Sequence, residues 1–576
     1  IASKNKSSYL SPFAKNRLQK IINIFVFGLL MGAIMAFFAN LFVNTVSYIS
    51  SVRDHFSLFT IKFADLELNY LPLLTLIIAA LLINFLKSTF KVQRWNGPAD
   101  AIYAAHRTDN ELDIKIGYLS TLTALISASG GASVGQYGPL VHLGATIGTT
   151  LKKVTKDMLS IDVFLGCGVA GAISAGFGAP LAGIIFAHEA ILRHFSMRAL
   201  APIAIASFTA TATTNLLFGK AAILGVSEST PELVKILPAS LLCSPIFALI
   251  AIVFMVTIRF FTKLATKSII PTYFLTFVAA IVCGITGMFF PQILGLGTGS
   301  VVEMLSGNFG LNLVIAVLIL KVLMTGLCLG FGLFGGVFSP ALFVGTAAGS
   351  ILGKFFTMIG FAGAGAVLPF CGMAAVGGAI IGAPITAVLI ILEITGSYEF
   401  GLVTMASVAG CCLITHLFFG HSFFDRQLID RGINVHLGRG HLKLMAEPVK
   451  VYSSDNYCGL QENLSVKAAI QIMLKDNFTE AYVIDEKNMF KGKVIITDLI
   501  NINQNEIITK FFVKNPLSLS PDLSVLQSIE ACRTFVGESI PIIENKTNIF
   551  RGIISEADLF SAYLDLDKQI KDLESG

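Results

Sequence analysis

Charge is what this chain has least of. Of its 576 residues, 13% are charged and 54% hydrophobic, whereas a water-soluble domain carries about 25% charged residues. Residues 301–420 hold five charges: Glu303, Lys321, Lys354, Glu393 and Glu399. A stretch so poor in charge cannot cover its own surface in water, which excludes an ordinary soluble fold. The nine cysteines form no CxxC pair and no metal-like spacing. Most of them, Cys411 and Cys412 included, sit in apolar segments as packing residues. No nucleophile–base set or metal cluster stands out, so an enzyme is not expected and no cofactor is required. A net charge of +5 gives no argument for nucleic acid. A cleavable signal peptide is not expected either, because the first apolar run is too long and begins too late.

What is present is apolar sequence in lengths suited to a bilayer, with a mean hydropathy of +0.75. Spans of about 20 residues are expected near 21–48, 71–87, 117–130, 160–176, 199–218, 236–262, 270–290, 310–333, 363–379 and 400–419. Segments near 138–151, 179–192, 336–356 and 381–396 are short or glycine-interrupted, and such segments are tolerated only inside protein or beside a cavity. Lys4, Lys6, Lys15, Arg17 and Lys20 precede the first run, and Asp54, Asp65 and Glu67 follow it. Positive residues stay inside, which places the N-terminus in the cytoplasm.

The apolar part repeats itself. GQYGPLVHLGATIG at 135–148 answers to GGVFSPALFVGTAAGS at 335–350, and GFGAPLAGIIFAHEA at 176–190 to AIIGAPITAVLIILEIT at 379–395. Pro139 to Pro340 is a step of 201; Pro180 to Pro384 and Glu189 to Glu393 are steps of 204. In GQYGP and GGVFSP, glycines lead into a proline that opens an apolar helix, where its missing N–H costs nothing. The first N–H groups of such helices lack partners and sit at the positive dipole end. Two of them aimed at one point cradle an anion without a full positive charge, weakly enough to release it.

After about residue 440 charge returns, and the tail repeats too. Leu464-Ser465-Val466 recurs as Leu523-Ser524-Val525, and Gly492 and Asp498 recur as Gly552 and Asp558. Each unit reads helix, strand, turn, strand, helix over about 60 residues. Units that small are expected to pack as a pair. Residues 426–449 read as the linker.

On these motifs the chain resembles the CLC family of chloride channels and proton-coupled chloride transporters, followed by a pair of CBS domains. The family's G-x-F-x-P signature corresponds to Gly336-Val337-Phe338-Ser339-Pro340, its G-[RK]-E-G-P to Gly135-Gln136-Tyr137-Gly138-Pro139, and its A-P-L-A-G…E segment to Ala179 through Glu189. G-S-G-x-P survives only as Arg94-Trp95-Asn96-Gly97-Pro98, and the last membrane helix reads Ser422-Phe423-Phe424. The resemblance implies an α-helical polytopic membrane protein of inverted-repeat fold with an α/β CBS pair behind it. Residues 1–425 would be the membrane domain, with repeats at about 20–218 and 236–425, and residues 450–576 the CBS pair. It also implies a homodimer in the lipid bilayer, with a separate anion pathway in each subunit. A prokaryotic inner membrane with cytoplasmic CBS domains is the expected location.

The departures from the family matter most. Its gating glutamate falls on Tyr137, which stays neutral because a phenol ionises near pH 10. Its proton glutamate falls on Ala190, one residue after Glu189. The pore tyrosine is Phe424, which lacks the hydroxyl, and the pore serine falls on Trp95 with Asn96 beside it. Passive anion conduction is therefore expected, with chloride as the inherited ion. Tyr137 would be the gate, as a neutral plug or an added hydrogen-bond donor. Backbone N–H groups of Tyr137, Gly138, Val337 and Phe338 would hold the anion, beside Phe424 and Asn96.

The alternative is an exchanger with a non-standard coupling route through His142, His188 or Glu189. The bland reading of both histidines is packing with a backbone partner. Glu189 and Glu393 are ionisable residues in apolar surroundings, which are functional by default. Their matched placement in the two halves argues instead for capping or bracing helices. In the tail, Ser555 and Asp558 fit the family's ribose-binding spacing for an adenine nucleotide (ATP, ADP or AMP), while the first unit offers Thr497 and Asp498. A ligand-free dimerisation module fits the same residues. A nucleotide-sensing protein with little transport is the third class, and the intact motif at Gly336–Pro340 speaks against it.

Overall fold

In the computed structural model, residues 12–55, 60–63, 66–107, 112–155, 159–195, 197–219, 233–435, 443–545 and 547–575 are described. They form two compact units that divide between Ile433 and Asn434. Lys4, Lys6, Asp65 and residues 436–442 of the expected linker lie outside the described residues.

The first unit is helical. It runs α1 (Pro12–His55), a hairpin of β1 (Thr60–Phe63) and β2 (Leu66–Asn69), α2 (Leu71–Thr89), α3 (Pro98–His106), α4 (Ile114–Gly130), α5 (Tyr137–Thr155), α6 (Ile161–Phe177) and α7 (Pro180–Phe186). The last of these continues as a π-helix over Ala187–Leu192. Then come α8 (Met197–Leu217), α9 (Leu233–Lys267), α10 (Thr272–Phe289), α11 (Thr298–Leu305), α12 (Leu311–Gly330), α13 (Phe338–Met358), α14 (Ala364–Ile381), α15 (Pro384–Thr395), α16 (Tyr398–Phe419) and α17 (Phe423–Ile429). Among the described residues nine helices are long and apolar enough to cross a membrane.

Three expectations change. The segments near 117–130 and 160–176 become α4 and α6 of 17 residues each, about 26 Å long, short of the roughly 30 Å hydrocarbon core. The segment near 336–356, read as broken, is one continuous helix of 21 residues. The β1–β2 hairpin, paired from Thr60↔Asn69 to Phe63↔Leu66, was not legible as strands beside so long an apolar helix.

The repeat is built on backbone contact. A Cβ on Gly144 of α5 would lie 2.3 Å from the Gly168 carbonyl oxygen of α6, and one on Gly345 of α13 would lie 2.2 Å from the Gly372 oxygen of α14. Gly144 to Gly345 is 201 residues and Gly168 to Gly372 is 204, the same steps as the motifs. Lipid offers no hydrophobic drive between helices, so close approach over small residues is what binds each pair.

The second unit begins earlier than expected. Val449 already donates its N–H to the Leu523 carbonyl, while α17 and residues up to Ile433 belong to the first unit. The expected linker of 426–449 is therefore shorter at both ends. Its elements are β3 (Cys458–Leu460), α18 (Val466–Lys475), β4 (Glu480–Ile484), β5 (Phe490–Ile495), α19 (Ile496–Leu499), α20 (Val525–Ala531), β6 (Ile540–Ile543), β7 (Phe550–Ile554) and α21 (Glu556–Ser575). β3 runs parallel to β4, which pairs antiparallel with β5; β6 and β7 form a second hairpin. The Leu-Ser-Val repeat is a helix start: Ser465 and Ser524 accept from the N–H groups of Ala468 and Gln527. The two hairpins meet through reciprocal 2.9 Å bonds, Phe490 N–H to Asn548 and Phe550 N–H to Asn488. Between them a buried Lys493–Glu480 pair lies at 2.7 Å.

Candidate functional site

The two glycine-rich loops lie against each other. Gly135 N–H donates to the Gly336 carbonyl and Gly336 N–H to the Gly135 carbonyl, both at 2.7 Å. A Cβ on Gly135 would sit 2.9 Å from Pro340 Cδ, and one on Gly336 would sit 2.8 Å from the Gly138 nitrogen. Only glycine permits this approach. It brings the N-termini of α5 and α13, from opposite halves of the chain, to one place. The helices begin at Tyr137 and Phe338, two residues before the prolines. Pro139 and Pro340 thus occupy the first turn, where an N–H has no intrahelical acceptor anyway. Paired helix starts suit a small anion.

Tyr137 is 7% exposed and lies in a cluster of three rings. It stacks on Phe177 at 3.8 Å between centroids and 15° between planes, and it meets Phe338 edge-on at 5.6 Å. Phe177 and Phe338 are 5.4 Å apart. The phenol O–H donates to the Gly176 carbonyl at 3.3 Å. A Cβ on Gly176 would come within 2.8 Å of the tyrosine ring, so Gly176 leaves room for the seated ring. A phenol has one O–H donor, and here Gly176 takes it. Phe177 was missed in the sequence; its one signal is an aromatic residue directly before Gly178-Ala179-Pro180.

Beside this cluster lies a cavity of about 500 Å³. Its walls include Val337, Phe424 and Trp95. Trp95 faces Phe334 at 6.4 Å. Asn96, the anion-binding candidate beside it, instead has its N–H bonded to Ser120 Oγ at 2.8 Å. Tyr137, Gly138 and Phe338 lie with the ring cluster and the loop pair rather than in the cavity wall. The wall carries four cations, Arg94, Arg259, Lys263 and Arg431, against the carboxylates of Asp100 and Asp430. Asp100 pairs with Arg94 at 2.6 Å and with Arg431 at 2.9 Å, and Asp430 pairs with Arg259 at 2.9 Å. Lys263 has no ion-pair partner among the described residues, so the wall keeps a positive surplus. Burial pushes the Asp100 carboxyl up, but the Arg94 bond and charge, the Arg431 charge and the Gly97 N–H together hold it below its ordinary value.

The two matched glutamates reach across the repeat. Glu189 accepts from the N–H groups of Ile385 and Thr386 at 2.9 and 2.8 Å, and from Thr386 Oγ1. Glu393 accepts from the N–H groups of Leu181 and Ala182, both at 2.9 Å. Each carboxylate caps the helix start of the opposite half. His142 is fully buried beside the two glycine-rich loops. His188 has a backbone partner, since its Nδ1 lies 3.0 Å from the His194 carbonyl.

In the tail, Asp558 accepts from both the N–H and the hydroxyl of Ser555. This pair caps the start of α21. Thr497 and Asp498 are exposed on α19.

Residues 74–416 match the family model described as voltage gated chloride channel. The "H(+)/Cl(-) exchange transporter ClcA" of Vibrio campbellii is 28% identical over 314 residues, 52% of this chain and 66% of that one. The protein of the same name from Yersinia pestis is 28% identical over 326 residues, 54% of this chain and again 66% of that one. The match thus spans just under two thirds of either relative. Among solved structures, a eukaryotic CLC transporter superposes with a TM-score of 0.61 at 18% identity, over 94% of this chain and 98% of the other. A slow cyanobacterial Cl-/H+ antiporter gives 0.60 at 19%, over 72% of this chain and 97% of the other. These likenesses establish the fold.

Proposed function

We propose that this chain, which belongs to the voltage-gated chloride channel family, conducts chloride or a related anion passively across its membrane, past a neutral tyrosine gate. One observation carries this reading: the residue seated at the helix starts of α5 and α13 is a phenol locked between two phenylalanines, with no carboxylate in its place. The paired helix starts supply partial positive charge for the anion. The cationic cavity wall raises the anion concentration next to them. Tyr137 acts as a plug, because its only donor is committed to Gly176. Adenine nucleotide at the tail and a homodimeric assembly, both drawn from the resemblance, and a prokaryotic inner membrane, drawn from the modest length and compact tail, are parts of the same proposal.

Proton-coupled exchange is the second reading. The names of the relatives favour it, and so do the contacts that join His188 to the His194 carbonyl and His194 to Asp162, the two histidines lying within four residues of Ala190 in sequence. The deciding experiment loads liposomes containing the full chain with chloride and records chloride efflux and external pH together. Efflux that needs valinomycin and moves no protons supports passive conduction. Proton uptake in fixed ratio to chloride loss replaces that reading with exchange. No efflux, unrelieved by Tyr137→Ala, sinks both.

A further inference from the structure

The turn at 187–195 has features that anion passage past Tyr137 does not require. It is a π-helix, a rare form that concentrates at functional sites. It ends at Arg193 with φ of 58°, a left-handed conformation that a residue bearing a Cβ adopts at a cost. Arg193 and His194, adjacent in sequence, reach two different helices. The Arg193 guanidinium pairs with Asp425 in the first turn of α17. His194 Nε2 lies 3.1 Å from Asp162 Oδ2, in the first turn of α6. Both carboxylates are buried, at 5% and 7% exposure, so each depends on its partner.

The far ends of these attachments are the walls of the pathway. α17 carries Phe424, which lines the cavity. α6 ends at Phe177, on which Tyr137 stacks. Ser422, the residue before α17, donates its hydroxyl to Asp425 at 2.7 Å, so the ion pair and the helix start are one assembly. His194 Nδ1 faces the Leu192 carbonyl at 2.8 Å, which fixes the ring while Nε2 holds Asp162.

We propose that Arg193 and His194 are positioning residues of the pathway: one turn sets, through Asp425, the helix bearing Phe424 and, through Asp162, the helix bearing Phe177. The effect on transport rests on the anion-pathway reading above; the geometry does not.

Trp95 is the chain's single tryptophan and shares the cavity wall with Phe424. Quenching of its fluorescence by sodium iodide therefore reads the cavity without any transport. The test uses the full chain, in liposomes for efflux and in detergent for quenching and thermal unfolding. Arg193→Gly is the first variant, because glycine accepts the φ of 58° without strain while removing the side chain that carries the guanidinium. It is expected to lower efflux per folded protein at least fivefold and to change the iodide quenching constant at least twofold, beyond the loss of Tm that comes from leaving the buried Asp425 carboxylate without its partner. Arg193→Lys should recover part of both. Asp425→Asn should match Arg193→Gly, and the double variant should be no worse than either. His194→Gln should change efflux but leave Trp95 quenching at the wild-type value, since α6 walls the other end.

Unchanged quenching and efflux in Arg193→Gly overturn the proposal. So does a fall in Tm with efflux per folded protein intact, which would make the pair merely structural. If neither wild type nor Tyr137→Ala shows efflux, the functional reading fails, while the quenching series still decides whether Arg193 positions α17.

Discussion

The gate proposed at Tyr137 can be sized from its own contacts. Two aromatic pairs are worth about 0.5–1.5 kcal/mol each beyond burial, and one long hydrogen bond adds roughly 0.5–1 kcal/mol. Tyr137 is thus held by about 1.5–4 kcal/mol, which leaves an open population on the order of 0.1–8%. The wild type should conduct slowly. Tyr137→Ala should raise valinomycin-dependent chloride efflux at least tenfold, and Gly176→Ala should also raise it by pushing the ring from its seat. Efflux unchanged in both variants would remove Tyr137 as the gate. Asp100 gives a pH expectation at the same scale. Its folded-state pKa is depressed, so its contribution to stability is full above the ordinary carboxylate range and fades as pH falls through the lowered value. Asp100→Asn should therefore lower Tm at pH 7, with the gap to wild type closing only in strong acid.

Among the elements, α7 and α15 hold each other by the ends. A carboxylate at a partly buried helix start is worth up to about 2 kcal/mol. Glu393→Gln and Glu189→Gln should each lower thermal stability by about 1–2 kcal/mol while leaving efflux per folded protein near wild type. A transport role for Glu189 would show as the reverse: intact Tm and lost efflux. In the second unit, Lys493→Ala strands the buried Glu480 carboxylate, which also accepts from Ser539 N–H at 3.0 Å. Removing one partner of such a pair costs roughly 3–5 kcal/mol, so chemical denaturation monitored on the tail should show the second unit unfolding well before the first.

For the whole molecule, the decisive quantity is the charge surplus at the cavity, four cations against two carboxylates. Three of the cations are already paired with those carboxylates, and Lys263 is not. Lys263→Gln should slow efflux several-fold at low ionic strength and little at 0.5 M salt, where charges more than about 4 Å apart are largely screened. A slope that does not depend on salt would show that the cavity does not concentrate anions. The doubling of the architecture matters here as well. Each half contributes one helix start, one capping glutamate and one glycine-packed helix pair. The site therefore exists only when both halves are folded together.

Much of this was legible without coordinates. Poverty of charge fixed the solvent as lipid, and the steps of 201 and 204 announced two like halves whose prolines and glutamates answer each other. The loss of carboxylates at Tyr137 and Ala190 could also be read directly, because residue identity at a motif position needs no geometry. Only the folded chain decided what lies near what. That Trp95 rather than Asn96 walls the cavity, that Phe177 seats Tyr137, and that Arg193 and His194 grip two different helices are contacts between residues 30 to more than 200 positions apart. Helical periodicity carries the direction of a side chain around its own axis. It carries nothing about which other helix packs there, and in a bilayer, where nearly every face is apolar, no polar stripe marks the inner side.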